Sequence, residues 1–221
     1  MAADIHHKGW DWTQVKETAW TEVSDEFLPT ALRWARQYRS MIDIGAGKGR
    51  HALFMNGMGM DVLAVDLSPS GIDVIRKKNE QAGGSVKAVT ADMTALPADD
   101  AAFDCAVCFH AVYHTDWQGL CRALAEIRRV LKPNGEVYLT FNAKDNPSFT
   151  RGVPVDGHTI YKTGGLEDGI PHTYVDIDDI RTLMDGFAIV NAQKIEGFVH
   201  HEKPTYGVHY YVLARKTQDA S

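Results

Sequence analysis

The chain has 221 residues, enough to bury a substantial core in one domain with an elaborated lid, and its acidic residues outnumber the basic ones for a net charge of −6. The two signs are mixed along the chain, which excludes the basic footprint of a nucleic-acid or membrane-surface binder and leaves small molecules as the expected partners. No apolar run approaches the ~20 residues of a membrane span, and the start, Met1-Ala-Ala-Asp-Ile-His-His, has no signal-peptide core. A cytoplasmic location is therefore expected, with Cys105, Cys108 and Cys121, an odd set, as reduced thiols.

The first twenty residues carry Trp10, Trp12 and Trp20 among charges. Either these indoles cover a flank of the domain or they cap a binding site. Ser24-Asp-Glu-Phe-Leu-Pro has N-cap and acidic first-turn signals and predicts a helix through Leu32, Trp34 and Ala35 to about Arg39. Met41-Ile-Asp-Ile-Gly-Ala-Gly-Lys-Gly-Arg50 then runs from an apolar stretch into glycines at every second position and on into an amphipathic segment over 50–58. That pattern is strand, tight loop, helix. Gly45, Gly47 and Gly49 permit positive φ and close approach of a ligand, and the helix aims its free N–H groups at the same place.

The helix stops at Gly57 and Gly59, and Val62-Leu-Ala-Val-Asp66 forms a second strand. Leu67-Ser-Pro-Ser70 caps a helix lined by Ile72, Val74 and Ile75, and Val86-Lys-Ala-Val-Thr90 is a third strand, directly followed by Ala91-Asp92-Met93. Phe103-Asp-Cys-Ala-Val-Cys-Phe109 is apolar almost throughout, as in a central strand buried on both faces. Its two cysteines, three apart, point to opposite faces and do not form a redox pair. A helix over 117–131 follows, closed by Lys132-Pro-Asn-Gly135, then the strand Glu136-Val-Tyr-Leu-Thr-Phe141. Residues 142–172 read as a long glycine-rich loop, 175–184 as a short helix, and 187–198 and 207–215 as an antiparallel hairpin at the sheet edge.

The glycine spacing departs from the dinucleotide fingerprint G-x-G-x-x-G, because Arg50 stands where the third glycine belongs. Apolar-Asp43-apolar-Gly45-x-Gly47-x-Gly49, with Asp66 ending the next apolar run, instead closely resembles the first two motifs of class I S-adenosylmethionine-dependent methyltransferases. Asp92-Met93 resembles that family's adenine-binding position, and Leu131-Lys-Pro-Asn-Gly135 resembles its turn before the fifth strand. The resemblance covers about 40–142 and implies a doubly wound, mostly parallel seven-stranded α/β sheet, Rossmann-like, with a C-terminal antiparallel hairpin. One domain over 1–221 is expected, made of a cap and helix (1–39), a cofactor-binding core (40–142), a substrate-facing insertion (143–175) and a C-terminal helix and hairpin (176–221). It also implies S-adenosylmethionine as cofactor, leaving as S-adenosylhomocysteine. The expected cofactor-binding residues are Asp43, Gly45, Gly47, Gly49, Asp66, Leu67, Asp92 and Met93, with Phe109 and His110 at the methionine part. Asp66 would take the ribose hydroxyls, since a carboxylate can accept both.

Ligands of open α/β sheets lie beyond the carboxyl ends of the strands, which brings His110-Ala-Val-Tyr-His114 beside the cofactor. Tyr113, His114 and His172 are the candidates to face the acceptor, each with a structural role as the alternative. Arg50 is to pair either with the methionine carboxylate or with a local acid. His110 and His114, four apart, raise zinc as an alternative, but the pattern lacks the Glu of H-E-x-x-H and a clear third ligand, so no metal is expected. The Asn/Asp-Pro-Pro-aromatic motif of amino-methylating enzymes is absent after the fourth strand, where Phe109-His-Ala-Val112 stands. The expected activity is methyl transfer to a small molecule at O, N, S or a metalloid. The alternatives are a non-catalytic cofactor-binding module and, further off, an NAD-linked oxidoreductase.

Overall fold

A computed structural model describes residues 9–16, 20–199 and 205–218. Five strands alternate with helices in the first two thirds of the chain: β1 (Ser40–Ile44), β2 (Asp61–Asp66), β3 (Lys87–Thr90), β4 (Phe103–Cys108) and β5 (Leu131–Ala143). They lie parallel in the order β3-β2-β1-β4-β5. The chain reverses at β1, so the crevice at the carboxyl ends of β1 and β4 is the topological switch point.

Period-two alternation sends each strand's side chains into two cores. Ile42, Ile44, Ala106, Cys108, Val137 and Leu139 meet α4 (Trp117–Val130) and α5 (Ile177–Leu183) on one face. Met41, Cys105, Val107 and Tyr138 meet α1 (Leu28–Gln37), α2 (Arg50–Gly57) and α3 (Pro69–Gln81) on the other. Cys105 and Cys108 are thus buried in different cores, too far apart in direction to pair.

Helix α1 begins later than its sequence predicts. Ser24 does not cap it by its side chain; the Ser24 carbonyl instead accepts from Phe27 and Leu28 N–H in a turn, and the helix opens at Leu28 with Pro29 in its first turn. Burial of Phe27 edge-on against Trp34, with ring centroids 5.4 Å apart, sets that start. Helices α3 and α5 are capped as their sequences require, by Ser68 and by a reciprocal capping box of Asp176 and Asp179.

The far side of the sheet holds the expected antiparallel hairpin and one departure. The hairpin of β9 (Phe187–Val199) and β10 (Thr205–Lys216) places β10 between β5 and β9, so β9 alone forms the edge. His209 and Tyr211 on β10 are consequently buried, where an edge strand would have exposed them. Residues 142–172 are not a loop. They form much of an antiparallel ribbon of β6 (Val153–Pro154), β7 (Thr159–Tyr161) and β8 (Pro171–Val175). Strand β8 pairs in parallel with Asn142 and Ala143 of β5. Asn142 already faces His209 of β10 on its other edge, so β8 occupies the β4 side of β5, just beyond where β4 ends. The ribbon therefore stands over the loop that follows β4. No helix among the described residues is long and apolar enough to cross a membrane.

Candidate active site

The loop after β1 is held open by its glycines. Gly45, Gly47 and Gly49 have φ of 68°, 55° and 82°, a region that side chains rarely adopt. A Cβ on Gly45 would lie 2.2 Å from that of Ala111, so the loop packs directly on the segment after β4. Gly49 caps α2 and has no side chain to satisfy the helix N–H groups; Asp43 does so from β1, accepting from Ala52 N–H at 2.9 Å. Burial drives the Asp43 carboxyl up to about 7, against the Ala52 hydrogen bond and the charge of Arg50. Asp43 and Gly49 do not line the cavity that the loop borders: Asp43 lies beneath it, and Gly49 faces Ile75 of α3.

That cavity measures about 810 Å³ and is walled by Gly45, Gly47, Asp66, Leu67, Asp92, Met93, Phe109 and His110, which the fold brings together. Asp66 ends β2 with one oxygen accepting from Gly47 N–H at 2.7 Å and the other from Ser68 N–H at 2.8 Å. A carboxylate has about four acceptor sites, so two stay available to a ligand. Asp92 accepts from the amide and hydroxyl of Thr94 through one oxygen, capping a turn at the cavity wall.

Trp10 and Trp12 close this side. The Trp12 amide donates to Ser70 Oγ, and its ring lies over Gly47 and Gly71, where a Cβ on either glycine would meet it at less than 3 Å. Trp10 stacks on Trp12 with centroids 5.4 Å apart, and its ring also lies 5.9 Å from that of His114. The indole N–H groups of both are buried without a hydrogen-bond partner among the described residues. Arg50 borders the cavity and lies close enough to Asp43 for its charge to hold that carboxyl down. Its guanidinium lies between the rings of Trp20 and Phe109, 5.4 and 5.0 Å from their centroids.

The opposite end of the cavity is a packed group of imidazoles and phenols. His110, in the left-handed region at φ 53°, donates its amide to Thr140 Oγ1 and sets its Nδ1 3.0 Å from Tyr113 Oη. Its ring packs 4.6 Å from that of His209. His114 turns the other way, 4.6 Å from His172, so His110 and His114 do not share a ligating face. The 109–116 segment is a turn rather than a helix, and β8 fastens it through Thr173, which donates to the carbonyls of Tyr113 and Thr115. Burial lowers His110, His114 (to about 3) and His209 (to about 4), leaving neutral rings at pH 7, and burial likewise raises Tyr113 far above the usual phenol range.

Several residues on this wall had no sequence signal strong enough to single them out. Glu167, from the turn Gly165–Glu167, lies 3.3 Å from His172 and 3.9 Å from His114 through the same oxygen. Lys162 stands 3.6 Å from its other oxygen. Asn142, Asn146, Ser148 and Arg151 complete the wall. The acid pair Glu167-Asp168, set among Gly164, Gly165 and Gly169, was the available clue for Glu167. His200 and His201, which enrich this region in the sequence, lie outside the described residues.

Known proteins resemble this chain in sequence and shape. A family described as "Methyltransferase domain" matches residues 41–135. An uncharacterized methyltransferase of Mycobacterium bovis is 34% identical over 124 residues, which are 56% of this chain and 46% of that protein. The chain thus spans about half the length of this curated relative. A SAM-dependent methyltransferase structure from Methanosarcina mazei superposes with a TM-score of 0.76 at 17% identity, covering 90% of this chain and 100% of that one. The 1,6-didemethyltoxoflavin-N1-methyltransferase of Burkholderia thailandensis, solved with its substrate and S-adenosylhomocysteine bound, superposes at 0.64 with 20% identity, covering 88% of this chain and 79% of that one.

Proposed function

We propose, from the premise that the chain belongs to the class I S-adenosylmethionine-dependent methyltransferases, that it methylates a small molecule inside the cavity between the glycine loop and the β6–β8 ribbon. One observation carries this reading. The glycine loop, Asp66 and Asp92-Met93 border the same cavity as Tyr113, His114 and His172, at the size usual for small-ligand sites of about 300–1,000 Å³. S-adenosylmethionine, when bound, supplies a methyl group on a sulfonium that is already a good leaving group, so alignment and exclusion of water are the protein's main tasks.

The residues present fit that cofactor. Asp66 keeps acceptor capacity for the ribose hydroxyls, Gly45 and Gly47 let it approach the backbone, and Met93 with Leu67 offers an apolar slot for the adenine. Trp10 and Trp12 exclude water from above the loop. Tyr113, His114 and His172 meet the acceptor. A net charge of −6 favours a small molecule over nucleic acid as the partner.

Calorimetric titration with S-adenosylmethionine, S-adenosylhomocysteine and NAD in parallel tests this reading. Binding of the first two alone is expected, followed by methyl transfer in a screen of small thiols, phenols, amines and metalloid anions. Binding of NAD alone, or of none, would overturn it.

A further inference from the structure

Three side chains from three separate segments converge at the acceptor end of the cavity: His114 from the turn after β4, Glu167 from the glycine-flanked turn before β8, and His172 from β8 itself. One potential ligand atom of each lies within 4.8 Å of the other two. We propose that they form a binding site for a divalent transition-metal ion of the zinc type, held by Nε2 of His114, Nε2 of His172 and one carboxylate oxygen of Glu167.

The donor set is the one such ions take when a coordination position is kept open: two imidazoles and one carboxylate. Bonds of about 2.0–2.1 Å in a tetrahedron place ligand atoms roughly 3.3 Å apart. His172 Nε2 and Glu167 Oε1 are already 3.3 Å apart, His114 Nε2 is 3.9 Å from the same oxygen, and the His114 and His172 ligand atoms lie within 4.8 Å, so His114 is the ligand that would move inward on binding. The surroundings orient the ligands. His172 Nδ1 lies 3.1 Å from the Ile170 carbonyl, which can only accept, so Nδ1 donates there and Nε2, which pairs with Glu167, is the nitrogen an ion would take in place of a proton. Trp10 and Tyr113 flank the His114 ring on the cavity side. Lys162, 3.6 Å from Glu167 Oε2, engages the second oxygen and leaves Oε1 as a single-atom ligand.

Two neutral nitrogens and one carboxylate leave a divalent ion with one net positive charge. Its open position faces the cavity, where it selects an acceptor that binds through an ionised oxygen or sulfur. The existence of the metal site stands apart from the methyltransferase reading; its role in holding the acceptor rests on that reading.

The test uses the purified full chain, stripped of metal by chelator dialysis and titrated with Co²⁺, then with competing Zn²⁺. The expected result is one Co²⁺ per chain with the visible d–d absorption of a low-coordinate site, bleached by Zn²⁺. Glu167→Gln, His172→Ala and His114→Ala should each weaken Co²⁺ binding by at least ~10-fold. S-adenosylhomocysteine titrated into the same samples reports on their folding and separates the two readings. Cofactor binding without Co²⁺ absorption in the wild type, or variants that keep cofactor binding and still bind Co²⁺ like the wild type, would overturn the metal site alone. Co²⁺ binding without cofactor binding would overturn the proposed function and leave the metal site standing.

Discussion

Asp43→Asn isolates the electrostatic cost of the acid beneath the glycine loop. Asp43 is 2% exposed, and one of its oxygens caps α2 by accepting from Ala52 N–H at 2.9 Å. An Asn carbonyl can keep that bond, so the substitution removes the charge and spares the cap. Burial raises the carboxyl from 3.8 to about 7 in the folded chain. Between those values the folded protein holds a proton that the unfolded chain has released, so stability is full below about 4 and is lost as pH rises through about 7. At roughly 1.4 kcal/mol per pH unit, the span from pH 5 to about 7 removes roughly 3 kcal/mol from the wild type that the Asn variant retains. Urea denaturation of both proteins at unit steps from pH 5 to pH 8 measures this. The variant's advantage should grow with pH and level off above pH 7. Two parallel stability profiles would refute the reasoning, because they would mean that Asp43 carries its charge in the folded protein at no cost.

Other perturbations have expected outcomes of their own. Asp66→Asn sets an amide N–H₂ against the backbone N–H of Gly47 or Ser68 and removes the charge offered to the ribose. Calorimetry should show S-adenosylhomocysteine affinity falling by about 1.5–3 kcal/mol, roughly 10- to 150-fold; unchanged affinity would mean that the ribose lies elsewhere. Trp12→Ala uncovers Gly47 and Gly71 and should weaken cofactor binding with the far-ultraviolet circular dichroism unchanged. Glu136 is a structural counterpart: its side chain is 1% exposed and accepts from Arg33, Trp34 Nε1 and Arg215. Arg215 is half exposed and can rehydrate, so Glu136→Ala should cost chiefly the orphaned Trp34 N–H, about 1–3 kcal/mol in urea unfolding. Glu136→Gln can still accept from Trp34 and should cost less.

Much of the glycine-loop side of the cavity was legible because local sequence and local geometry coincide there. Glycines at alternate positions after an apolar run state a positive-φ loop, and an acid at the end of each of the next two strands places its carboxylate at the same sheet end, since parallel strands share a direction. Strand periodicity likewise announced the two cores, with Cys105 and Cys108 assigned to opposite faces. Pairing along the sheet edge was not legible in this way, because it depends on which distant strand takes each side of β5. That choice buried His209 and Tyr211 on an inner strand and turned residues 142–172 from an expected loop into part of a ribbon standing over the turn after β4.

The acceptor half depended on the same choice. His110 and His114 are near neighbours in sequence yet face different partners, because the segment between them is a turn fixed by Thr140 and Thr173. His114 meets Glu167 and His172, more than fifty residues away, only because β8 pairs beside β5. The sequence by itself determined the loop, its acids and the α/β alternation, since these follow from the backbone freedom of glycine and the periodicity of apolar residues. Tertiary structure alone decided which imidazoles and carboxylate share a point in space, since that is settled by non-local strand pairing and not by spacing along the chain.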